Sequence, residues 1–296
     1  MPRSDWNDLP SSVRDAIQER TGPVLKAEPI EGRTLLGCTA RLYTGAYSVF
    51  LKAVPSDSPA APSHRREQQA NRALPPLLPV PRMLWYGETS GWVWSTFDYI
   101  DGGRHANLAP DSPELPDVLA TVNTLGQMLT PAPGTVRSVG EEVALLQKAA
   151  EHMLAEKGSE VPDRLLFEAA LDGFDVTMLR GLSMVHFDLA PSKLLMASRH
   201  VYVLDWSSAG RGAPWLDAAL LVPRLIQAGH TPSQAEHVMR HVVTWRLART
   251  KPVTGFAALW TLYRVHEAQY GPAERRVFRA RAAAAGHAWL RHRLTR

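Results

Sequence analysis

The sequence predicts an α+β chain in which a small first part is built on an antiparallel sheet and a larger second part is mainly helical. Three observations lead to this prediction. Apolar, β-rich runs are concentrated before residue 101. Helical patterns dominate after residue 115. Two short apolar strands interrupt these helices, and an aspartate follows each of them, Asp188 and Asp205.

The predicted elements of the first part begin with a short helix over 9–17. The β-rich runs lie at 24–30, 40–43, 47–54 and 92–100. A helical stretch at 63–74 is bracketed by proline-rich pieces, as loops would bracket it. The segment 102–116, rich in glycine and proline, leads into the second part. The later helices are predicted at 115–129, 143–157, 162–172, 218–228, 233–250, 255–268 and 272–294.

Composition limits the function classes. The chain has 296 residues, 45% of them hydrophobic, which suits one two-lobed domain or two small ones. The net charge of +4 is too diffuse to indicate a nucleic-acid partner. No stretch approaches the roughly 20 apolar residues that cross a membrane. A single cysteine, Cys38, excludes an intramolecular disulfide, and the N-terminus does not resemble a signal peptide, so we expect a cytosolic protein without a membrane partner.

Residues 184–206 form the most informative motif. One apolar strand leads to His186 and Asp188, and a second leads to Asp205 and Trp206. Two carboxylates presented in this way suit phosphoryl transfer to a hydroxyl, because one can accept the hydroxyl proton while the other holds magnesium.

Three sequence blocks in order carry a resemblance to a known family. His186, Asp188, Leu189 and Pro191 fit the pattern His-x-Asp-Leu-x-Pro-x-Asn, and Leu204-Asp205-Trp206 fits a following Asp segment. Residues 212–219 resemble Gly-x-Pro-x-x-Asp-Leu-Ala, with alanine in place of the leucine. The chain thereby resembles the aminoglycoside phosphotransferase and choline kinase-like family of small-molecule kinases. The resemblance implies a bilobal protein-kinase-like fold, with an N-lobe over 1–101 and a helical C-lobe over 102–296.

The resemblance also implies roles for the residues of the three blocks. Asp188 would orient or deprotonate the acceptor hydroxyl, and Asp205 would hold Mg²⁺. His186 would brace the catalytic loop through hydrogen bonds, and Asp217 would support that loop from below.

In the first part, the resemblance implies a nucleotide site. Lys52, in a β-rich run, would bind the phosphates, and Glu67, on the following helical stretch, would orient Lys52. The adenine would bond the backbone of a hinge segment. The candidate residues of this segment are Phe97, near the gatekeeper position, Asp98, Tyr99 and Ile100.

A glycine turn at 32–39 is a candidate phosphate-covering loop, with Arg33 and Thr34 as its candidate side chains. An ordinary hairpin is an equally open interpretation. The turn also comes close to a Walker A loop, with Cys38 replacing the lysine. That interpretation is rejected because a strand and a turn, not a helix, follow it.

Two residues depart from the family pattern. Lys193 stands where the family has the Asn that binds a second magnesium, and an ammonium group has no acceptor and repels a dication. Lys193 either places its own charge near the phosphates or marks a chain that binds nucleotide poorly or not at all. Phe187 occupies a position that is commonly Gly.

The function predicted by the resemblance is transfer of the γ-phosphoryl of ATP or GTP, with Mg²⁺, to a hydroxyl of a small molecule. Aminoglycosides, macrolides, peptide antibiotics, choline-like alcohols and sugars are the acceptor classes within the family, and antibiotic resistance is a family-level possibility. The alternative is a catalytically degenerate kinase-like protein with a binding or regulatory role. A protein kinase ranks third, because no Ala-Pro-Glu block is present.

Two histidine patterns are treated as decoys. His237 and His241 share one face of a predicted helix, but without a third ligand they are better explained as a surface or packing pair than as a zinc site. The segment from His266 to Tyr270 has the spacing of a metalloprotease motif but lacks its second histidine.

Overall fold

An antiparallel sheet organises the first part of the chain. The computed structural model describes residues 4–30, 37–132, 136–155 and 161–295. The described strands of this sheet are Val24–Pro29 (β1), Cys38–Thr44 (β2), Ser48–Pro55 (β3), Met83–Thr89 (β4) and Trp92–Asp98 (β5). Their order is β1-β2-β3-β5-β4, and every neighbouring pair is antiparallel.

Side chains in the central strands alternate in burial because one face of the sheet lies on a core. Leu42 on β2 and Leu51 on β3 are fully buried in this core. The helix Ser11–Thr21 (α1) contributes Val13 and Ile17, four residues apart on one helical face, to the same cluster. The helix Ala61–Ala73 (α2) packs against β3, β4 and β5.

The chain divides into two compact units. The first consists of Met1–Arg104 together with the segment Tyr202–Ser208, and the second consists of His105–Val201 and Ala209–Arg296. The first unit is therefore discontinuous in sequence. Its later segment contains Asp205 and the one-turn 3₁₀ helix Trp206–Ser208, which packs against α2.

The second unit is mainly helical. Its described helices are Leu115–Met128 (α3), Gly140–Ala155 (α4), Arg164–Leu171 (α5), Leu216–Gln227 (α6), Pro232–Met239 (α7), Val243–Arg246 (α8), Thr250–Tyr270 (α9) and Ala273–Leu294 (α10). The helix α9 packs against α4, α5 and α10. Trp260 on α9, Trp289 on α10 and Phe167 on α5 are among the largest fully buried side chains of this core.

Short strands accompany the helices. They are Arg104–His105 (β6), Ser183–Val185 (β7), Leu194–Ala197 (β8), His200–Val203 (β9) and Gly210–Gly212 (β10). The strand β7 pairs with β10 in an antiparallel ladder, and the order of the other short sheet is β6-β8-β9.

The predicted α+β class, with an antiparallel sheet followed by a mainly helical part, is confirmed. Two details differ from the sequence-based expectation. The strand β4 was not predicted, and the single helix expected over 233–250 is two helices, α7 and α8, which are separated by residues 240–242. Among the described residues, no helix has the length and apolar character needed to cross a membrane.

Candidate active site

Lys52 lies on β3, between Thr39 of β2 and Ser95 of β5. Its Nζ donates to both carboxylate oxygens of Glu67, at 2.7 and 2.8 Å. Glu67 is buried on α2, and the side chains of the pair are 17% and 6% exposed. A buried carboxylate needs such a partner, because an unpaired buried charge is very costly. The structure therefore brings together the lysine and the glutamate that the sequence paired.

The same ammonium group also approaches a second carboxylate. Lys52 Nζ is 3.5 Å from Asp205 Oδ1, and Ser207 Oγ donates to the same oxygen at 3.3 Å. Asp205 follows β9 with a φ of 67°, in the left-handed region that few non-glycine residues adopt. Arg66 on α2 donates from Nε to the Ser207 carbonyl at 3.3 Å, which ties this segment to the helix. The first unit thus gathers Lys52, Glu67 and Asp205 in one cluster.

His64 lies on α2, one turn before Glu67, and it is buried. Burial, reinforced by the positive charge of Lys52, lowers the pKa of His64 to about 4. The imidazole is therefore neutral at physiological pH. The positive charge next to Glu67 belongs to Lys52.

The motif from His186 to Asp188 follows β7 in the second unit, and Asp217 in the first turn of α6 binds its backbone. Asp217 Oδ2 accepts the His186 backbone N–H at 2.8 Å, and Oδ1 accepts the Phe187 N–H at 2.9 Å. Burial raises the pKa of Asp217, while His186 and these two backbone donors act in the opposite direction. Both oxygens accept N–H groups, and this arrangement favours the ionised form of the carboxylate.

His186 is fully buried, and its ring forms a hydrogen bond with the backbone of the same loop. The backbone N–H of Asp188 donates to His186 Nδ1 at 3.2 Å. A ring nitrogen that accepts an N–H carries no proton of its own, so in this geometry Nδ1 of His186 is the unprotonated nitrogen. This hydrogen bond is compatible with the bracing role that the resemblance implies for His186, which stays a prediction.

Phe187 adopts a φ of 60°, a conformation that is strained for a bulky residue. Its side chain is buried, and its ring centroid lies 6.1 Å from that of Phe256 on α9. The left-handed backbone explains why glycine suits this position. Here aromatic packing accompanies the strained turn.

Lys193 ends a one-turn 3₁₀ helix, Pro191–Lys193, and its backbone N–H donates to the Ala190 carbonyl at 2.8 Å. Its side chain is only 10% exposed, and Nζ lies 4.0 Å from Asp188 Oδ2. Lysine is seldom buried to this extent without a charged partner. Lys193, one of the two residues that depart from the family pattern, therefore lies beside the candidate catalytic carboxylate.

Tyr263 on α9 is a polar neighbour of Asp188 that the sequence did not suggest. Burial raises the pKa of Tyr263, and the negative charges of Glu267 and Asp188 raise it further, against the opposing charge of Arg279. A tyrosine inside a long apolar helix resembles a core residue in sequence. No pattern in the sequence distinguished it.

The hinge candidates lie at the end of β5 and just after it. Phe97 is buried, and its ring is 5.6 Å from Lys52 Nζ. Asp98 exchanges hydrogen bonds with Arg82: its Oδ2 accepts the Arg82 N–H at 3.0 Å, and its own N–H donates to the Arg82 carbonyl at 2.9 Å. The Asp98 carboxylate thus has a structural role, because it accepts a backbone hydrogen bond from Arg82.

The guanidinium carbon of Arg41 lies 4.0 Å from the centre of the Tyr99 ring, and Arg41 also forms an ion pair with Asp101 at 2.7 Å. This stacking fixes the segment that continues to Ile100, which is half-buried. Arg33 and Thr34 lie outside the described residues.

The decoy histidines form ring contacts. His237 and His241 have ring centroids 6.4 Å apart, and His266 contacts Tyr270 at 5.1 Å. In the described part of the chain, no group of three or more His, Cys, Asp or Glu side chains is placed to hold a metal.

Magnesium, which the family implies, fits this donor set at one position. Mg²⁺ in kinases is bound through one or two carboxylates plus substrate phosphates, so a ready-made protein cage is not needed. Asp205 is 31% exposed and supplies such a carboxylate. Lys193 supplies an ammonium group in place of an oxygen, so the residues do not fit a second ion.

The chain was compared with known protein families and with known proteins. A profile described as the phosphotransferase enzyme family matches residues 39–253. A search of curated proteins found no match.

Solved structures share the fold at low sequence identity. Choline kinase LicA from Streptococcus pneumoniae has a TM-score of 0.63 at 16% identity, covering 93% of this chain and 99% of its own. A thermostable mutant of aminoglycoside phosphotransferase APH(4)-Ia, in a ternary complex with AMP-PNP and hygromycin B, has a TM-score of 0.57 at 16% identity, covering 94% and 99%. Spectinomycin phosphotransferase APH(9)-Ia, in complex with ADP and spectinomycin, has a TM-score of 0.58 at 8% identity, covering 94% and 92%.

These likenesses confirm the predicted protein-kinase-like fold. The family match spans well over half of the chain and includes Lys52, Glu67, Asp188, Asp205 and Asp217. The protein therefore belongs to the phosphotransferase enzyme family, as its three sequence blocks predicted.

Proposed function

We propose that this protein is a small-molecule kinase that transfers the γ-phosphoryl group of ATP or GTP to a hydroxyl group of its acceptor. The observation that carries the proposal is the position of the Lys52 ammonium, bonded to Glu67 and 3.5 Å from Asp205. A strand lysine paired with a helix glutamate, next to a magnesium-binding aspartate, is the arrangement that protein kinases use to bind nucleotide phosphates.

In this proposal, residues 1–101 form the nucleotide-covering lobe. Lys52 binds the phosphates and Glu67 holds Lys52 in place. The backbone from Asp98 to Ile100 bonds the adenine, with Phe97 beside it. Arg33 and Thr34, which lie outside the described residues, stay candidates for contact with the phosphates.

Residues 102–296 form the lobe with the catalytic loop and the acceptor site. Asp188 orients the acceptor hydroxyl or takes its proton as the oxygen attacks the γ-phosphorus. The bond from that phosphorus to the β–γ bridging oxygen breaks, and the nucleoside diphosphate leaves. His186 and Asp217 act by holding the loop that carries Asp188.

Asp205 is the residue that would hold Mg²⁺. When bound, the ion supplies charge neutralisation at the nucleotide phosphates. The remaining contribution of the chain is to position Lys52 and Asp188, since phosphoryl transfer depends mainly on positioning and electrostatics.

The ligands of structural neighbours support a nucleotide as donor and a small molecule as acceptor. LicA was solved with AMP, and APH(4)-Ia was solved with AMP-PNP and hygromycin B. For this chain we propose an acceptor among the hydroxyl compounds that such kinases handle, from aminoglycosides and other antibiotics to choline-like alcohols and sugars. Antibiotic resistance and a cytoplasmic location belong to the same proposal.

The test is calorimetric titration of ATP and GTP into the purified protein, with Mg²⁺ and with a chelator. We expect magnesium-dependent binding in the wild type and its loss in Lys52→Met. Lys26→Met is the matched control, because Lys26 pairs with Glu28 at the exposed edge strand β1. A screen of the acceptor classes, read as nucleoside diphosphate release, follows. If Lys52→Met binds nucleotide as tightly as the wild type does, the proposal is wrong.

A second candidate function is that of a kinase-like binding or regulatory protein without catalysis. Lys193 favours this candidate, because an ammonium group in place of a metal-binding amide weakens metal coordination. A magnesium titration separates the two candidates: the enzyme needs at least one ion for nucleotide binding and turnover, and the binding protein needs none.

A further inference from the structure

The Lys193 ammonium is buried, and the local fold fixes its position. The residue closes a one-turn helix that begins at Pro191, and β8 starts immediately after it, so the backbone on both sides is fixed. With the side chain 10% exposed, the ammonium is held inside the loop region and is not a solvated surface charge. Its position is set by the fold of the catalytic loop itself.

The charge stands next to the residue that would receive the acceptor proton. Lys193 Nζ is 4.0 Å from Asp188 Oδ2, and Asp188 is the more exposed of the two, with 37% of its side chain accessible. A cation at this distance attracts the Asp188 carboxylate and favours one orientation of it. The open side of Asp188 remains available to a substrate.

An ammonium group at this position excludes a metal ion from it. Lysine offers three N–H donors and no lone pair while it is charged, so it cannot ligate Mg²⁺. Its charge also repels a dication over the short distances inside a site. Kinases with two magnesium ions use the residue at this point of the loop to hold the second ion.

We propose that Lys193 supplies, as part of the chain, the positive charge that two-ion kinases obtain from the second magnesium, so that this protein binds its nucleotide with one divalent ion. This inference rests on the proposed phosphotransferase function and deepens it. Lys193 contributes charge and donors to the phosphates and transfers no proton.

The first measurement counts metal ions directly and does not depend on activity. Mn²⁺ is the spectroscopic probe and the non-hydrolysable AMP-PNP is the nucleotide, with bound Mn²⁺ per bound nucleotide measured by electron paramagnetic resonance. We expect one ion in the wild type and two in Lys193→Asn, which restores an amide oxygen. Lys148→Asn, on the exposed face of α4, is the matched control and keeps one ion.

Two ions in the wild type would overturn the inference, as would a single ion in Lys193→Asn. Neither result affects the proposed function, which fails separately if the wild type binds no AMP-PNP at all. Thermal melting checks each variant first. If Lys193→Asn does not fold, Lys193→Gln takes its place, and the wild-type ion count remains decisive.

The second measurement tests the charge. Lys193→Met keeps a long side chain without a charge or a metal ligand. We expect its affinity for AMP-PNP to fall by about tenfold or more and its affinity for AMP, which lacks the β- and γ-phosphates, to change by less than about threefold. Equal affinities of wild type and Lys193→Met for AMP-PNP would overturn the inference.

Discussion

The carboxylate of Asp217 accepts the backbone N–H of Phe187 at 2.9 Å, and it holds a residue whose φ is 60°. Its other oxygen accepts the N–H of His186. A side chain on α6 thus fixes the backbone of the turn that presents Asp188. The strain at Phe187 persists because this bond and the packing against Phe256 determine the conformation.

Asp217→Asn should destabilise the protein by roughly 1–3 kcal/mol, because an amide has one acceptor oxygen and leaves one buried N–H facing an NH₂ group. Urea unfolding measures the loss. Asp175→Asn is the control: Asp175 accepts the Thr177 N–H at the start of a 3₁₀ turn, where Asn caps equally well. Equal stability of Asp217→Asn and the wild type would contradict the anchoring role.

Phe187→Gly and Phe187→Ala should both be less stable than the wild type, since removing the ring leaves a cavity beside Phe256 that costs about 3–5 kcal/mol. The glycine variant should be the more stable of the two by about 1 kcal/mol, because only glycine adopts positive φ without strain. Denaturation of the matched pair measures this difference. An alanine variant more stable than the glycine variant would argue against strain at this turn.

The free energy of unfolding should fall as the pH is lowered from 6.5 to about 4. In the native state, burial keeps His64 neutral down to about pH 4, while in the unfolded chain it takes up a proton below its ordinary pKa of 6.5. The unfolded state then binds more protons, so acid favours it, by up to about 3 kcal/mol from this residue.

Thermal or urea unfolding across this pH range, on the wild type and on His64→Leu, measures the effect. The leucine variant should show a shallower pH dependence between pH 6.5 and 4. His241→Leu, at an exposed histidine, should keep the wild-type slope. An unchanged slope in His64→Leu would assign the acid sensitivity to other groups.

Asp188→Asn should lower the rate of phosphoryl transfer by about 10²–10⁴-fold or abolish it, because the amide cannot accept the hydroxyl proton. Nucleotide affinity should stay nearly unchanged. Single-turnover assays and calorimetry measure the two quantities, with Asp111→Asn at an exposed site as control. Normal turnover in Asp188→Asn would remove Asp188 from its proposed role.

The sequence sufficed for features that follow from local pattern and linked spacing. The strand with Lys52 and the helix with Glu67 follow from local pattern, and the resemblance to the kinase-like family implied that the two charges pair, as they do in the structure. The same resemblance implied that His186 and Asp217 hold the loop, and their hydrogen bonds are compatible with that role.

Features set by tertiary packing could not be predicted. The helical stretch was predicted to begin at residue 63, yet α2 begins at Ala61. The strand β4 was missed because its side chains alternate weakly and Gly87 interrupts the run. The burial of the Lys193 side chain could not be predicted from the sequence either, since a lysine after a proline turn is ordinarily a surface residue.

The segment Tyr202–Ser208 completes a unit whose other residues end at Arg104. Val203 donates its N–H to the Pro79 carbonyl at 2.9 Å, and Lys52 Nζ lies 3.5 Å from Asp205. During synthesis, residues of the first unit such as Pro79 and Lys52 therefore cannot form these contacts until the segment up to residue 208 has left the ribosome. Recombination between related genes faces the same constraint. A crossover that exchanges only the residues up to 104 combines Lys52 of one parent with the Asp205 segment of the other, so a chimera that keeps one parent's pairing of these residues must inherit both pieces from it.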